Sequence, residues 1–113
     1  MKSNSQNEAI EIKIACKNKE EAIRISSHLI NEKLVACAQM FAIESMYHWK
    51  GEIVNDQEIL IQCKSITGHF EKICSSVKNL HSYEVPEIIC LPLMDGHKPY
   101  LDWIRETTQI IQN

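Results

Sequence analysis

A chain of 113 residues, 44% hydrophobic and 24% charged, is the size of one ordinary globular domain spanning residues 1–113. Lys and Arg do not outnumber Asp and Glu, and a formal net charge of -3 gives no electrostatic case for nucleic acid. No apolar run approaches the roughly 18 residues of a membrane helix, and MKSNSQNE has no signal-peptide core, so a cytoplasmic protein with a flexible tail over about residues 1–8 is expected.

Ile10, Ile12, Ile14 and Cys16 alternate with Glu11, Lys13 and Ala15. That period of two predicts a strand with one buried face. Asn18 is placed to cap a helix, with Glu21 reaching back to it as in a capping box. Ala22, Ile25, Leu29 and Ile30 carry that helix to about Lys33. Val35 to Trp49 reads as a long strand, Lys50-Gly51 as a turn, and Glu52 to about Lys64 as the returning strand. About 15 residues of strand span roughly 50 Å, so this hairpin must bend or project beyond its own core. Its tip carries Met46, Tyr47 and Trp49. An exposed apolar edge of this kind predicts cover by another subunit, with Tyr47 and Trp49 as interface anchors.

Phe70, Ile73, Cys74, Val77, Leu80 and His81 follow steps of three and four. They predict an amphipathic helix from about Gly68 to Leu80. Val85 to Met94 follows as a strand, and its apolar run Ile88 to Leu91 is one that a small protein buries in a sheet. Pro86 and Pro92 remove two amide donors, which bends that strand or puts it at an edge. Asp95-Gly96 turns the chain. Pro99 suits the first turn of a last helix, whose apolar side is Tyr100, Leu101, Ile104 and Ile111. The order β-α-β-β-α-β plus a helix predicts an α+β, ferredoxin-like split β-α-β fold. Both crossover helices then cover one face of an antiparallel sheet. The other face is expected to be apolar and uncovered, unless the last helix or a neighbour shields it.

The five cysteines, Cys16, Cys37, Cys63, Cys74 and Cys90, form no C-x-x-C pair and read as reduced, mostly buried thiols. Phosphate-cradling, zinc-protease and nucleophile-elbow motifs are absent, which predicts neither a catalytic residue nor an organic cofactor. Cys16 closes the first strand and His81 ends the second long helix, so the two can meet at one end of the sheet. A thiolate with an imidazole suits copper or zinc, although two ligands need others to complete a tight site. Glu84 and Glu87, three apart in an extended segment, fall on opposite faces. Trp49, Tyr83, Glu84 and Glu87 are candidates for a cleft between subunits, with Cys37 and Lys64 in the same pocket. His28, His48, His69 and His97 are scattered and read as surface residues.

Four stretches together are distinctive: HSYEVPEIICLPL from His81 to Leu93, ACAQ at Ala36 to Gln39, YHWKGEI at Tyr47 to Ile53, and LDWI at Leu101 to Ile104. In this order, and across nearly the whole chain, they resemble the CutA family of divalent-ion tolerance proteins. The resemblance implies a compact homotrimer with sheets packed inward and hairpins reaching across subunits, similar to PII-type signalling trimers. It also implies copper ligation by a cysteine at the end of strand one and two adjacent histidines. Cys16 matches the cysteine and His81 the second histidine, while Leu80 stands at the first histidine position and Ser82 at the usual proline. The resulting reading is a cytoplasmic homotrimer that responds to copper or another divalent ion by binding. The rivals are a PII-like small-molecule sensor and a thiol enzyme using Cys37 with Lys64.

Overall fold

Period-two alternation produces the first strand, β1 (Ala9–Cys16), in which Ile10, Ile12, Ile14 and Cys16 are all buried. The structure is a computed structural model and describes residues 5–110. On the other face of β1, Lys13 Nζ lies 3.3 Å from Glu11 Oε2. Helix α1 (Lys19–Asn31) starts at Asn18, whose side chain accepts the Glu21 amide at 2.9 Å. The Glu21 carboxylate does not return to Asn18. It reaches one residue further back and accepts the Lys17 amide at 3.0 Å. Lys33, at φ 58, ends the helix by letting Leu34 donate back to the Leu29 carbonyl.

Strands β2 (Cys37–Trp49) and β3 (Glu52–Ile66) pair from Cys37 opposite Lys64 down to Trp49 opposite Glu52. Lys50 (φ 51) and Gly51 (φ 82) both take the left-handed conformation of the two-residue turn that matches strand twist. The hairpin makes the molecule long: its extents are 46 × 28 × 24 Å and its radius of gyration is 14.9 Å, against about 13 Å for a compact chain of this size. Met46 and Ile53 near the tip are 71% and 68% exposed. Helix α2 (Phe70–Leu80), strand β4 (Ile88–Pro92) and helix α3 (Lys98–Thr107) complete the order. The sheet runs β2-β3-β1-β4 with every neighbour antiparallel, the split β-α-β arrangement expected from the sequence.

The main core lies between the sheet and helices α1 and α2. Ile10, Ile12, Ile14, Ile61 and Cys63 meet Ile25, Leu29, Ile73 and Val77 there. At about 25 cal/mol per Å² of apolar surface removed from water, each such side chain contributes roughly 2 kcal/mol. A second cluster on the opposite face joins Ala9 and Ile66 to Ile104, so α3 covers one end of the face that the crossover helices leave open. The rest of that face is mixed, not apolar throughout. By the pairing register, Phe41, Leu60, Ile89 and Leu91 share it with Gln39, Gln62, Lys13 and Glu11.

Several expectations need correction. β4 is five residues long, and Val85 to Glu87 precede it as loop. Its apolar run is not buried in one chain: β4 is an edge strand, with Ile89 and Leu91 45% and 38% exposed. Cys90 is exposed, while Cys37 and Cys74 are half-buried. His28 and His69 are half-buried rather than on the surface, and His69 Nε2 lies 2.6 Å from the Thr108 carbonyl. Of the expected tail, Ser5–Asn7 form a 3-10 turn and Arg105 Nε donates to the Asn7 carbonyl. Residues 1–4 and the apolar Ile111 lie outside the described residues.

Candidate functional site

Three elements converge at one end of the sheet. Cys16 is the last residue of β1, Glu21 sits in the first turn of α1, and His81 caps the end of α2 with its amide on the Val77 carbonyl. One donor atom from each lies within 4.8 Å of the other two. The side chains of His81 and Glu21 are 0% and 1% exposed, and Cys16 is fully buried.

The hydrogen bonds fix the state of each group. His81 Nε2 lies 2.7 Å from the Ala15 carbonyl, and the Tyr83 amide donates to Nδ1 at 3.1 Å. The ring is therefore the neutral tautomer with its proton on Nε2. Glu21 accepts the Lys17 amide on Oε1 and the Ser82 amide on Oε2 at 2.7 Å, with His81 Nδ1 3.8 Å from Oε1. Burial pushes the Glu21 carboxyl up, but the hydrogen bonds it accepts from Lys17 and Ser82 outweigh it, and the group sits below the ordinary carboxylate range. Burial, followed by the carboxylates of Glu21 and Glu58, pushes the Cys16 thiol up to about 12. Folded Cys16 is thus expected to react with iodoacetamide about a thousandfold more slowly than in the denatured chain, by loss of thiolate alone. Equal rates at neutral pH would show that the end of β1 opens readily.

The sequence reading placed Cys16 and His81 near one another and missed Glu21, because a carboxylate three residues after a cap is explained by capping alone. Leu80, at the position of the family's first histidine, packs against the main core and offers no ligand atom. The donor set of one thiol, one imidazole nitrogen and one carboxylate oxygen fits a borderline ion such as zinc or copper in chemistry. To take such an ion, Cys16 must release its proton and His81 Nδ1 must give up the Tyr83 amide.

Beside this cluster, a cleft of ≈ 720 Å³ opens between the hairpin and the loop 82–87. Trp49, Tyr83, Glu84 and Glu87 line it with Tyr47 and Glu58. Glu84 and Glu87 thus reach one cleft from a loop, not the opposite faces of a strand. Glu58, a second residue the sequence reading missed, is buried in β3 and accepts the Tyr83 hydroxyl at 2.7 Å. Burial and that carboxylate push the Tyr83 phenol up. The Tyr47 hydroxyl donates to Asp56 at 2.7 Å, and this bond is the main cause that raises its phenol to about 12. Cys37 and Lys64 do not line the cleft within one chain. They face each other at the far end of the hairpin, roughly 40 Å of strand from Trp49. Cys37 Sγ lies 3.6 Å from the Tyr100 hydroxyl, and Lys64 Nζ donates to Gln39 at 3.1 Å instead of facing the thiol as a charge partner.

Known proteins share this fold. The family profile described as CutA1 divalent ion tolerance protein matches residues 10–107. The divalent-cation tolerance protein CutA of Thermus thermophilus is 44% identical over 96 residues, covering 84% of this chain and 93% of that protein. Protein CutA of Mus musculus is 34% identical over 101 residues, which cover 88% of this chain but 57% of the mouse protein, so the chain spans little more than half the length of that relative. Among solved structures, the periplasmic divalent cation tolerance protein CutA from Archaeoglobus fulgidus aligns with a TM-score of 0.87 at 37% identity, over 89% of this chain and 99% of that one. With the profile running from β1 to the end of α3 and the fold matching over nearly its full extent, the chain belongs to the family of CutA1 divalent ion tolerance proteins.

Proposed function

We propose that the protein is a cytoplasmic homotrimer that serves in tolerance of, or response to, divalent metal ions, and that it works by binding and not by turnover. The observation that carries the metal reading is the convergence of Cys16, Glu21 and His81 donor atoms within 4.8 Å. These three residues would hold a copper or zinc ion, whose contribution there is a local positive charge that replaces the Cys16 proton. The exposed hairpin tip, the mixed open face and the bare apolar edge of β4 support assembly. Five free cysteines support a reducing compartment. No helix among the described residues is long and apolar enough to cross a membrane.

Calorimetric titration of the assembled protein with Zn²⁺ and Cu²⁺ tests this. Binding is expected to strengthen as pH rises, because thiol and imidazole must both be unprotonated. Cys16→Ser and His81→Ala are each expected to weaken it, and Leu80→His to strengthen it by adding an imidazole. Unchanged affinity in both Cys16→Ser and His81→Ala would place any bound metal elsewhere. A second reading, small-molecule sensing in the manner of PII-type trimers, is favoured by the cleft of ≈ 720 Å³, a volume that suits a small organic ligand.

A further inference from the structure

We infer that the cleft between the hairpin and the loop 82–87 binds a small organic cation, its ammonium group on the Glu58 carboxylate and its apolar body against Tyr47, Trp49 and Tyr83. The inference rests on reading the cleft as a ligand site and stands apart from the metal cluster. Glu58 is its anchor. The residue is 6% exposed, lines the cleft, and has the Tyr83 hydroxyl as its hydrogen-bond donor. Among the described residues no ammonium or guanidinium pairs with it. A buried carboxylate without a counter-charge is costly, and one hydroxyl fills only part of its accepting capacity. A cation brought by a ligand would remove that cost.

The rest of the lining selects in the same direction. Glu84 and Glu87 add two carboxylates, while among the described residues no lysine or arginine lines the cleft and His48 supplies its single imidazole. An anion is repelled by Glu58 and Glu87, Glu84 being paired with Lys50 at the rim. A neutral ligand of the same shape leaves Glu58 without a counter-charge. The aromatic walls favour an organic body over a hydrated metal ion, because stacking and cation–π contact reward a poorly hydrated cation. The chain itself supplies an example at the rim: Lys50 Nζ lies 5.5 Å from the centre of the Trp49 ring and 3.7 Å from Glu84 Oε1. That ammonium occupies an aromatic-and-carboxylate seat built from two cleft residues.

Titration with phenethylamine, 2-phenylethanol and phenylacetate tests the inference, since the three share one body and differ in charge. In the presence of a chelator, phenethylamine is expected to bind saturably and at least tenfold more tightly than either analogue. Glu58→Gln keeps an oxygen for the Tyr83 hydroxyl and removes the charge, so it is expected to weaken phenethylamine at least tenfold with assembly unchanged and melting of the ligand-free protein not lowered. Lys50→Met removes the competing ammonium and is expected to tighten binding. Equal binding of amine and alcohol, or an amine affinity indifferent to Glu58→Gln, would overturn the cation assignment while leaving the cleft as a site. Absence of binding by all three probes would overturn the assignment and the sensor reading together, and would leave the metal cluster untouched.

Discussion

Replacing Glu21 with alanine is expected to destabilise the folded chain by about 2–5 kcal/mol. The carboxylate receives the amides of Lys17 and Ser82 and faces His81, with its side chain 1% exposed. Each amide stranded without an acceptor costs about 1–3 kcal/mol, and the three-element junction loses its shared partner. The measurement is denaturant unfolding at fixed protein concentration, because the proposed assembly would contribute to apparent stability. A change below about 0.5 kcal/mol would mean that water replaces the carboxylate. The pH dependence supplies an independent check. The Glu21 carboxyl is lowered on folding, so its contribution is fully present above its unfolded value near 4.5 and is lost as pH falls through the lower folded value. The wild type should therefore lose stability below about pH 4.5 through this group, and Glu21→Ala should lack that component.

Phe41→Asp is expected to dissociate the assembly. Phe41 is 45% exposed in one chain and lies opposite Leu60 on the face left open by α1 and α2. Loss of a buried aromatic anchor costs about 2 kcal/mol or more at an interface, and an unpaired carboxylate in its place adds desolvation. In the proposed trimer the penalty recurs at every copy. Sedimentation equilibrium at low micromolar concentration should give about three times the 13.0 kDa chain mass for the wild type and single-chain mass for the variant. A variant that sediments as the wild type would remove this face from the assembly surface.

Much of the fold was legible because periodicity reports which side of an element is buried. Ile10, Ile12 and Ile14 announced β1, and Ile73 and Val77 announced α2. The Ile88 to Leu91 run was misread, since apolar content says that a segment seeks cover but not whether its own chain provides it. At the site, Cys16 and His81 were legible from their places at element ends. Glu21 was not, because one carboxylate can cap a helix and also bind a neighbouring loop, and only the approach of Ser82 reveals the second task. Glu84 and Glu87 were placed on opposite faces because the segment was read as extended, whereas Pro86 lies in a loop that brings both to one cleft. Glu58 drew no reading, because nothing in its strand pattern shows that the Tyr83 hydroxyl donates to it.

The sheet order has a consequence for synthesis. β1 leaves the ribosome before both of its partners: Ala9 pairs with Ile66, and Ile10 with Pro92. At about 5–20 residues per second, the strand waits roughly 3 to 15 seconds for a neighbour. During that interval its isoleucines are open to pairing with other nascent chains on the same message. Glu11 and Lys13 break the run at alternate positions, and charges so placed discourage edge-to-edge association. Before they form an ion pair on the finished sheet, they guard the unfinished one.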